Sequence, residues 1–323
     1  METTTEKIIK YMKSKDQVSP ADLSIYLGIN RSATHRQINK LLKDGAIYKI
    51  GKSPKVFYLL SEKKKQTDVI NIDSKLKKLI DDNFLLITPA GEKEEGFHGF
   101  EYWCNKQKLP VEKTAIEYKK TFEKYVPYKK DGLIDGMYKI KHTLDKVFLD
   151  KVFYLDFYSI ERFGKTKLGQ MLLYAKQSQN RTLINELIDH IKPQVLSLIE
   201  KFKVDAVGYI PPTVKRETQL MKEIGRQLNL PIPSINLVKV KTPVAVPQKT
   251  LNKLEDRIEN ANGTIIVDDS RKYKTVLLID DALGSGATFN ETARKIKSQK
   301  LAETIIGLAI TGSFSGFEII SEV

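Results

Sequence analysis

Residues 275–288 constrain the fold of this chain more than any other stretch. Val276, Leu277, Leu278 and Ile279 form an unbroken apolar run. A run that short, without polar alternation and closed by turn residues, suits a strand buried on both faces of a parallel sheet. Asp280 and Asp281 stand where such a strand ends, and Gly284-Ser285-Gly286 follows as a turn. Phe289, Thr292, Ala293 and Ile296 then recur at helical spacing, with Thr288 expected as the N-cap and Glu291 completing a capping box. Glycines at 284 and 286 let the backbone turn sharply and face its N–H groups inward, and a helix N-terminus adds further donors. That is an anion site of phosphate size, to which Ser285 and Thr288 add hydroxyls. Asp280 and Asp281 would repel an anion alone. They suit a ligand that carries a sugar diol beside its phosphate, because carboxylates accept hydrogen bonds from hydroxyls; Mg²⁺ would offset the remaining repulsion. The stretch is not a Walker loop, since no Gly-Lys-Ser/Thr follows, and it lacks the dinucleotide G-x-G-x-x-G. An ordinary strand–turn–helix whose acids merely form the turn also fits these residues.

The rest of the C-terminal half is built to match. From Phe163 the pattern alternates between helices and strands. A helix is expected through 174–176 and a long one over about 183–202, which Pro193 would kink or split. Strands are expected at 204–210, 235–241, 264–267 and 304–311, with an amphipathic helix over 215–228 and a polar stretch over 242–263. Strands alternating with helices imply a parallel sheet, whose ligands bind beyond the carboxyl ends of the strands. Asp280 and Asp281 lie at one such end and Pro211-Pro212-Thr213 at another.

The first 62 residues read differently. Three short helices are expected, over 3–14, from Ser19-Pro20 to about Leu27, and from Asn30 or Ser32 to about Asp44, with Gly45 ending the last. Two strand-like stretches, 46–50 and 56–60, flank the turn at 51–55. This order is that of a winged helix-turn-helix. On the third helix Ala33, Thr34, Ile38, Leu41 and Leu42 share one face, and Ser32, Arg36, Asn39 and Lys43 take the opposite arc. Arg reads guanine and Asn reads adenine in a major groove, while Lys52 and Lys55 of the wing suit phosphate contacts. Residues 1–65 hold 14 Lys/Arg against 6 Asp/Glu, within a chain whose net charge is +14. Such a local excess points to a polyanion, here DNA; a winged helix used for protein contacts is the competing reading.

At 323 residues the chain is long enough for two or three domains. The expected division is a winged helix-turn-helix over 1–62, a charged linker over 63–82, an α+β intermediate region over 83–160 and the α/β domain over 161–323. Two roles suit the intermediate region: a cover over the next domain's site, or a homodimer interface. Its aromatic residues Tyr102, Trp103, Phe122 and Tyr125 read as core. One cysteine, Cys104, excludes an intrachain disulfide and a cysteine zinc site. His35, His98, His142 and His190 have no metal-ligand spacing. A polar, acidic start and the lack of a long apolar run read against a signal peptide or a membrane span, so a cytoplasmic protein is expected.

Several separated stretches together resemble the ComF-like type I phosphoribosyltransferases. The run 276–288 resembles their phosphoribosyl-pyrophosphate (PRPP) loop, with Ser285 in place of the usual first Thr. Residues 210–216 resemble their VP…R segment, and Thr242-Pro243, Gln248, Leu251, Arg257 and Asn260 their T…Q…L…R…N stretch. The resemblance covers about residues 160–312. Two features depart from it: the family's Arg-Gly-Phe-Asn-Gln segment is here Glu217-Thr218-Gln219-Leu220-Met221, and a winged helix stands in place of a zinc ribbon. The resemblance implies a Rossmann-like phosphoribosyltransferase domain in which Gly284, Ser285, Gly286, Ala287 and Thr288 hold the 5′-phosphate. Asp280 and Asp281 are the catalytic carboxylates, holding the ribose hydroxyls and stabilising positive charge on the ribose, and Pro212, Thr213, Lys215, Arg216, Lys249 and Arg257 meet the pyrophosphate together with Mg²⁺. The first expectation is phosphoribosyl transfer to an unidentified acceptor. The alternative is a transcriptional regulator that senses PRPP or a nucleotide, because purine-operon repressors of some bacteria also place a winged helix before such a domain. A phage-defence effector is a third, weaker alternative.

Overall fold

A computed structural model describes residues 2–15, 17–52, 55–61, 72–214, 216–240 and 242–313. The chain divides into two compact units, residues 1–71 and 72–323.

The N-terminal unit opens with α1 (Thr4–Lys13), capped by Thr3 and Glu6 in a reciprocal box. Helix α2 (Pro20–Leu27) starts with Ser19 and Asp22 in the same arrangement and stops at Gly28, which is left-handed. Asn30 caps α3 (Arg31–Lys43), its Oδ1 accepting from Ala33 N–H at 2.9 Å. Strands β1 (Ile47–Lys52) and β2 (Lys55–Leu60) form the antiparallel wing, and Val18 bridges to Tyr58 beside it. Ile8, Met12, Leu23, Ile38, Leu41 and Ile47 close a small core of their own. The apolar spacing of each helix therefore produces the packed face that the sequence implies.

The C-terminal unit is a three-layer α/β structure. It begins with α4 (Ser74–Asn83), β3 (Leu85–Ile87), β4 (Lys93–Glu95), α5 (Gly96–Lys106) and α6 (Val111–Tyr125). Next come β5 (Lys129–Lys130), β6 (Leu133–Asp135), α7 (Met137–Thr143), β7 (Lys151–Phe157), α8 (Lys167–Ser178) and α9 (Arg181–Phe202). The last part holds β8 (Ala206–Tyr209), α10 (Leu220–Leu228), β9 (Leu237–Lys239), α11 (Leu254–Thr264), β10 (Ile265–Val267), β11 (Tyr273–Leu283), α12 (Ala287–Ser298) and β12 (Ala302–Gly312).

The main sheet runs β5-β6-β7-β12-β11-β8. Strands β7, β12, β11 and β8 are parallel, and β5 and β6 extend the edge antiparallel. The sheet is thus mixed: β8, β11 and β12 are parallel, and the antiparallel strands β5 and β6 come from the intermediate region, with β5 returning onto β6 across the short turn at 131–132. The apolar run of β11 splits by strand alternation: Val276 and Leu278 enter one core layer, Leu277 and Ile279 the other. Helices α4, α5, α6 and α12 cover the first face, and α8, α9 and α10 the second.

Several expectations are corrected here. The expected boundary at residue 160 does not divide the structure, since β7 from the intermediate region lies inside the sheet. Residues 242–263 are not merely a polar stretch: α11 occupies their second half, and its buried Arg257 and Ala261 were hidden by charged neighbours. The strand expected at 235–241 shrinks to β9, which pairs only with β10 outside the main sheet. Helix α9 continues through Pro193 as one element. Phe122, Trp103 and Tyr125 pack against the core as expected, whereas Tyr102 is exposed.

Candidate functional site

The site grows out of the strand order. After β8 the chain leaves to the face covered by α10; after β11 it leaves to the face covered by α12. Adjacent parallel strands whose connections part to opposite faces open a crevice at their carboxyl ends. A cavity of about 210 Å³ lies there.

Most of the sequence-derived candidates meet around it. Asp280, Asp281, Gly284, Ser285, Gly286 and Thr288 line one side, and Pro212, Thr213 and Arg216 another. Arg257 reaches the cavity from α11. Ala287 does not line it; as the first residue of α12 it is buried. Lys215 and the side chain of Lys249 lie outside the described residues.

The turn itself differs from the expectation in two details. Gly286, not Thr288, is the N-cap of α12, and it is left-handed at φ 78° with no side-chain cap. Thr288 falls in the first helical turn, and Glu291 is buried against the Arg294 guanidinium at 2.8 Å, so no capping box forms. Only Gly286 needs to be glycine: a Cβ there would overlap Ile140 of α7. At Gly284 a Cβ would meet nothing closer than Arg257 Nη1 at 3.7 Å. The neighbourhood of α7 is fixed by Lys139, whose Nζ donates to the Leu283 carbonyl at 3.3 Å. Asn290 ties α12 to residues 146–148 through both ends of its amide. The first N–H groups of a helix have no intrahelical acceptor, and they stand here beside the cavity with the Ser285 and Thr288 hydroxyls.

The two acids are consecutive on β11, so alternation directs them to opposite faces. Each meets a lysine that the sequence reading missed. Lys176, from the end of α8, forms an ion pair with Asp281. Lys239, from β9, lines the cavity on the other side and its charge acts on Asp280. Asp280 Oδ1 also accepts from Asp281 N–H at 2.8 Å. The Asp280 carboxyl is held well above the usual carboxylate range, first by burial and then by the charge of Asp281; the hydrogen bond and the two lysines oppose this. Burial pulls the Lys239 ammonium below its ordinary value, and Asp280 partly restores it. Burial likewise lowers the Arg257 guanidinium, whose Nε donates to the Leu251 carbonyl at 2.8 Å. Arg216 donates to the carbonyl of Lys176 and to Gln177 Oε1, the latter at 3.3 Å. The end of α8, the segment after β8 and the acids of β11 are therefore linked through Lys176 and Arg216.

In the N-terminal unit Ser32, Arg36, Asn39 and Lys43 are all exposed along α3, opposite buried Thr34, Ile38 and Leu41. Lys55 is exposed at the start of β2; the side chain of Lys52 lies outside the described residues. Among the described residues no helix is long and apolar enough to cross a membrane, and no group of three or more His, Cys, Asp or Glu side chains is placed to hold a metal ion.

The molecule is thus a winged helix-turn-helix followed by an α/β unit built on a mixed six-stranded sheet. Residues 1–48 match the family of winged helix-turn-helix DNA-binding domains. No curated protein matches the chain.

Proposed function

We propose that this chain is a DNA-binding regulator whose C-terminal unit senses PRPP or a related ribonucleotide. The observation that supports the reading best is the crevice between β8 and β11, where two acids, a glycine turn with the Ser285 and Thr288 hydroxyls, and two arginines surround one cavity. The amides and hydroxyls of 284–288 take the phosphate, the carboxylates take the ribose hydroxyls, and Arg216 and Arg257 face the diphosphate. Mg²⁺ enters with the ligand: two carboxylates on opposite faces of one strand, each beside a lysine, leave most of its oxygen ligands to the diphosphate and water. The exposed Arg36, Asn39 and Lys43 of α3 read the major groove.

Sensing is favoured over phosphoribosyl transfer because residues 1–48 match winged helix-turn-helix DNA-binding domains, which gives a bound ligand an output in DNA affinity. The decisive measurement is linkage. Calorimetric titration of PRPP with Mg²⁺, with and without an excess of DNA, gives two affinities, and thermodynamic reciprocity requires PRPP to shift the DNA affinity by the same factor. Identical PRPP affinities in both titrations would remove the regulatory coupling. Pyrophosphate release from PRPP that disappears in Asp280→Asn and Asp281→Asn would instead establish transfer.

A further inference from the structure

The pair between Lys176 and Asp281 lies inside the cavity and not on the surface, with side chains about one-fifth exposed. Three connections hold it in place. Alternation turns Asp281 to the face of β11 that α8 covers. Lys176 follows Ala175, which is fully buried and anchors the end of α8 against that face. Arg216 clamps the same turn by donating to the Lys176 carbonyl and the Gln177 side chain. The ammonium is the mobile part of this assembly, carried on four methylenes.

We propose that Lys176 is an exchangeable counter-ion that makes the cavity selective for phosphorylated cis-diols over bare phosphates and over 2-deoxy sugars; this rests on the ribose-phosphate reading above. A bare diphosphate needs the Lys176 cation but offers Asp281 nothing, so the pair stays closed and the carboxylates repel the anion. A sugar without phosphate offers Asp281 its hydroxyls but leaves the displaced ammonium without a partner. A ribose phosphate satisfies both at once: its hydroxyls donate to the Asp281 carboxylate, and Lys176 swings onto the phosphate oxygens as a charge-assisted donor. No bond is made or broken in this exchange; it redistributes hydrogen bonds and one ion pair.

The test is a double-mutant cycle read by calorimetry with PRPP, ribose 5-phosphate, 2-deoxyribose 5-phosphate and pyrophosphate, each with Mg²⁺. The wild type should prefer ribose 5-phosphate to its 2-deoxy analogue and PRPP to pyrophosphate, each by about tenfold. Lys176→Met should weaken both ribose phosphates by about tenfold, and Lys176→Arg should restore part of that loss. Asp281→Asn is the informative variant. It should bind pyrophosphate more tightly than the wild type, because Lys176 is released, and it should lose the preference for the 2-hydroxyl. In the double variant Lys176→Met/Asp281→Asn the gain for pyrophosphate should vanish. If the double variant keeps the gain, repulsion by Asp281 alone explains it and the exchange is refuted. If wild type binds none of the four compounds, the ribose-phosphate reading itself fails. If wild type binds PRPP and Lys176→Met binds all four unchanged, only the counter-ion role of Lys176 fails.

Discussion

The two units place their charge in opposite ways. In the N-terminal unit the candidate DNA-contacting side chains stand on the outside of a small apolar core: Arg36, Asn39 and Lys43 project from α3, and Ile38 and Leu41 on its other face hold it in place. In the C-terminal unit the charged groups converge inward, from β11, α8, β9 and the segment after β8, on one crevice. A single helix can therefore present the first site once it is packed. The second exists only when several elements distant in sequence are brought into register. The first suits a ligand that is itself a large charged surface; the second suits a small ligand with both anionic and hydroxyl groups.

The contrast is tested most severely by damaging one unit and watching the other. Ile38 is fully buried at the centre of the winged-helix core. Ile38→Ala should destabilise that unit by about 2–5 kcal/mol, abolish DNA binding near its new melting point and leave PRPP titration unchanged. Two thermal transitions should be resolved, only one of them shifted. A shift of both would show that the units do not fold separately.

The reciprocal damage is Gly286→Val. It combines a left-handed backbone with a clash against the buried Ile140, at a cost of about 1–3 kcal/mol. The C-terminal transition and PRPP binding should suffer, and DNA binding without ligand should persist. Gly284→Ala is the matched control. Its backbone is not left-handed and its Cβ would make an ordinary contact, so near-normal stability is expected; an equal loss at both glycines would show that the turn, not Gly286, is what fails.

Smaller changes probe the sites themselves. Arg36→Ala should cost about 1–3 kcal/mol of DNA affinity and do so unevenly across sequences, whereas Lys43→Ala should weaken all sequences alike and lower the salt slope by about one. Equal effects on every sequence from Arg36→Ala would place Arg36 on phosphate and not on a base edge.

What could be read from sequence follows the same division. The α3 face was legible because 3.6-residue periodicity converts spacing directly into exposure, and end signals such as Asn30 and Gly45 are local. β11 was legible because burial on both faces demands an unbroken apolar run. The lysines of the crevice were not. Lys176 looks like any helix-surface lysine, and Lys239 like any strand-end one, until the sheet order sets them beside Asp281 and Asp280. Arg257 was named through the family resemblance, but the helix that buries it was hidden in a charged stretch. The capping box at Thr288 failed for a different reason: α12 begins two residues earlier, with left-handed Gly286 as its cap, so that Thr288 falls inside the helix and Glu291 pairs with Arg294.

The last test turns on acidity, where the two units should respond with opposite sign. Asp22, in the capping box of α2, is held below the ordinary carboxylate value by the Ser19 N–H and hydroxyl. Its contribution is present above the unfolded value, ~3.9 for an aspartate, and is lost as pH falls through the lower folded one. Asp280 is held above that value, chiefly by burial. The folded chain then keeps a proton that the unfolded chain has released, so its contribution is full below the unfolded value and declines as pH rises through the folded one. Asp280→Asn should remove this dependence. The C-terminal transition of the variant should lie above that of wild type at neutral pH by roughly a few degrees, and the two should converge toward pH values near that of a free carboxylic acid. The N-terminal transition should be the same in both proteins. A variant that melts no higher than wild type at neutral pH would mean that the cavity stabilises the ionised form of Asp280, with Lys176 and Lys239 outweighing burial.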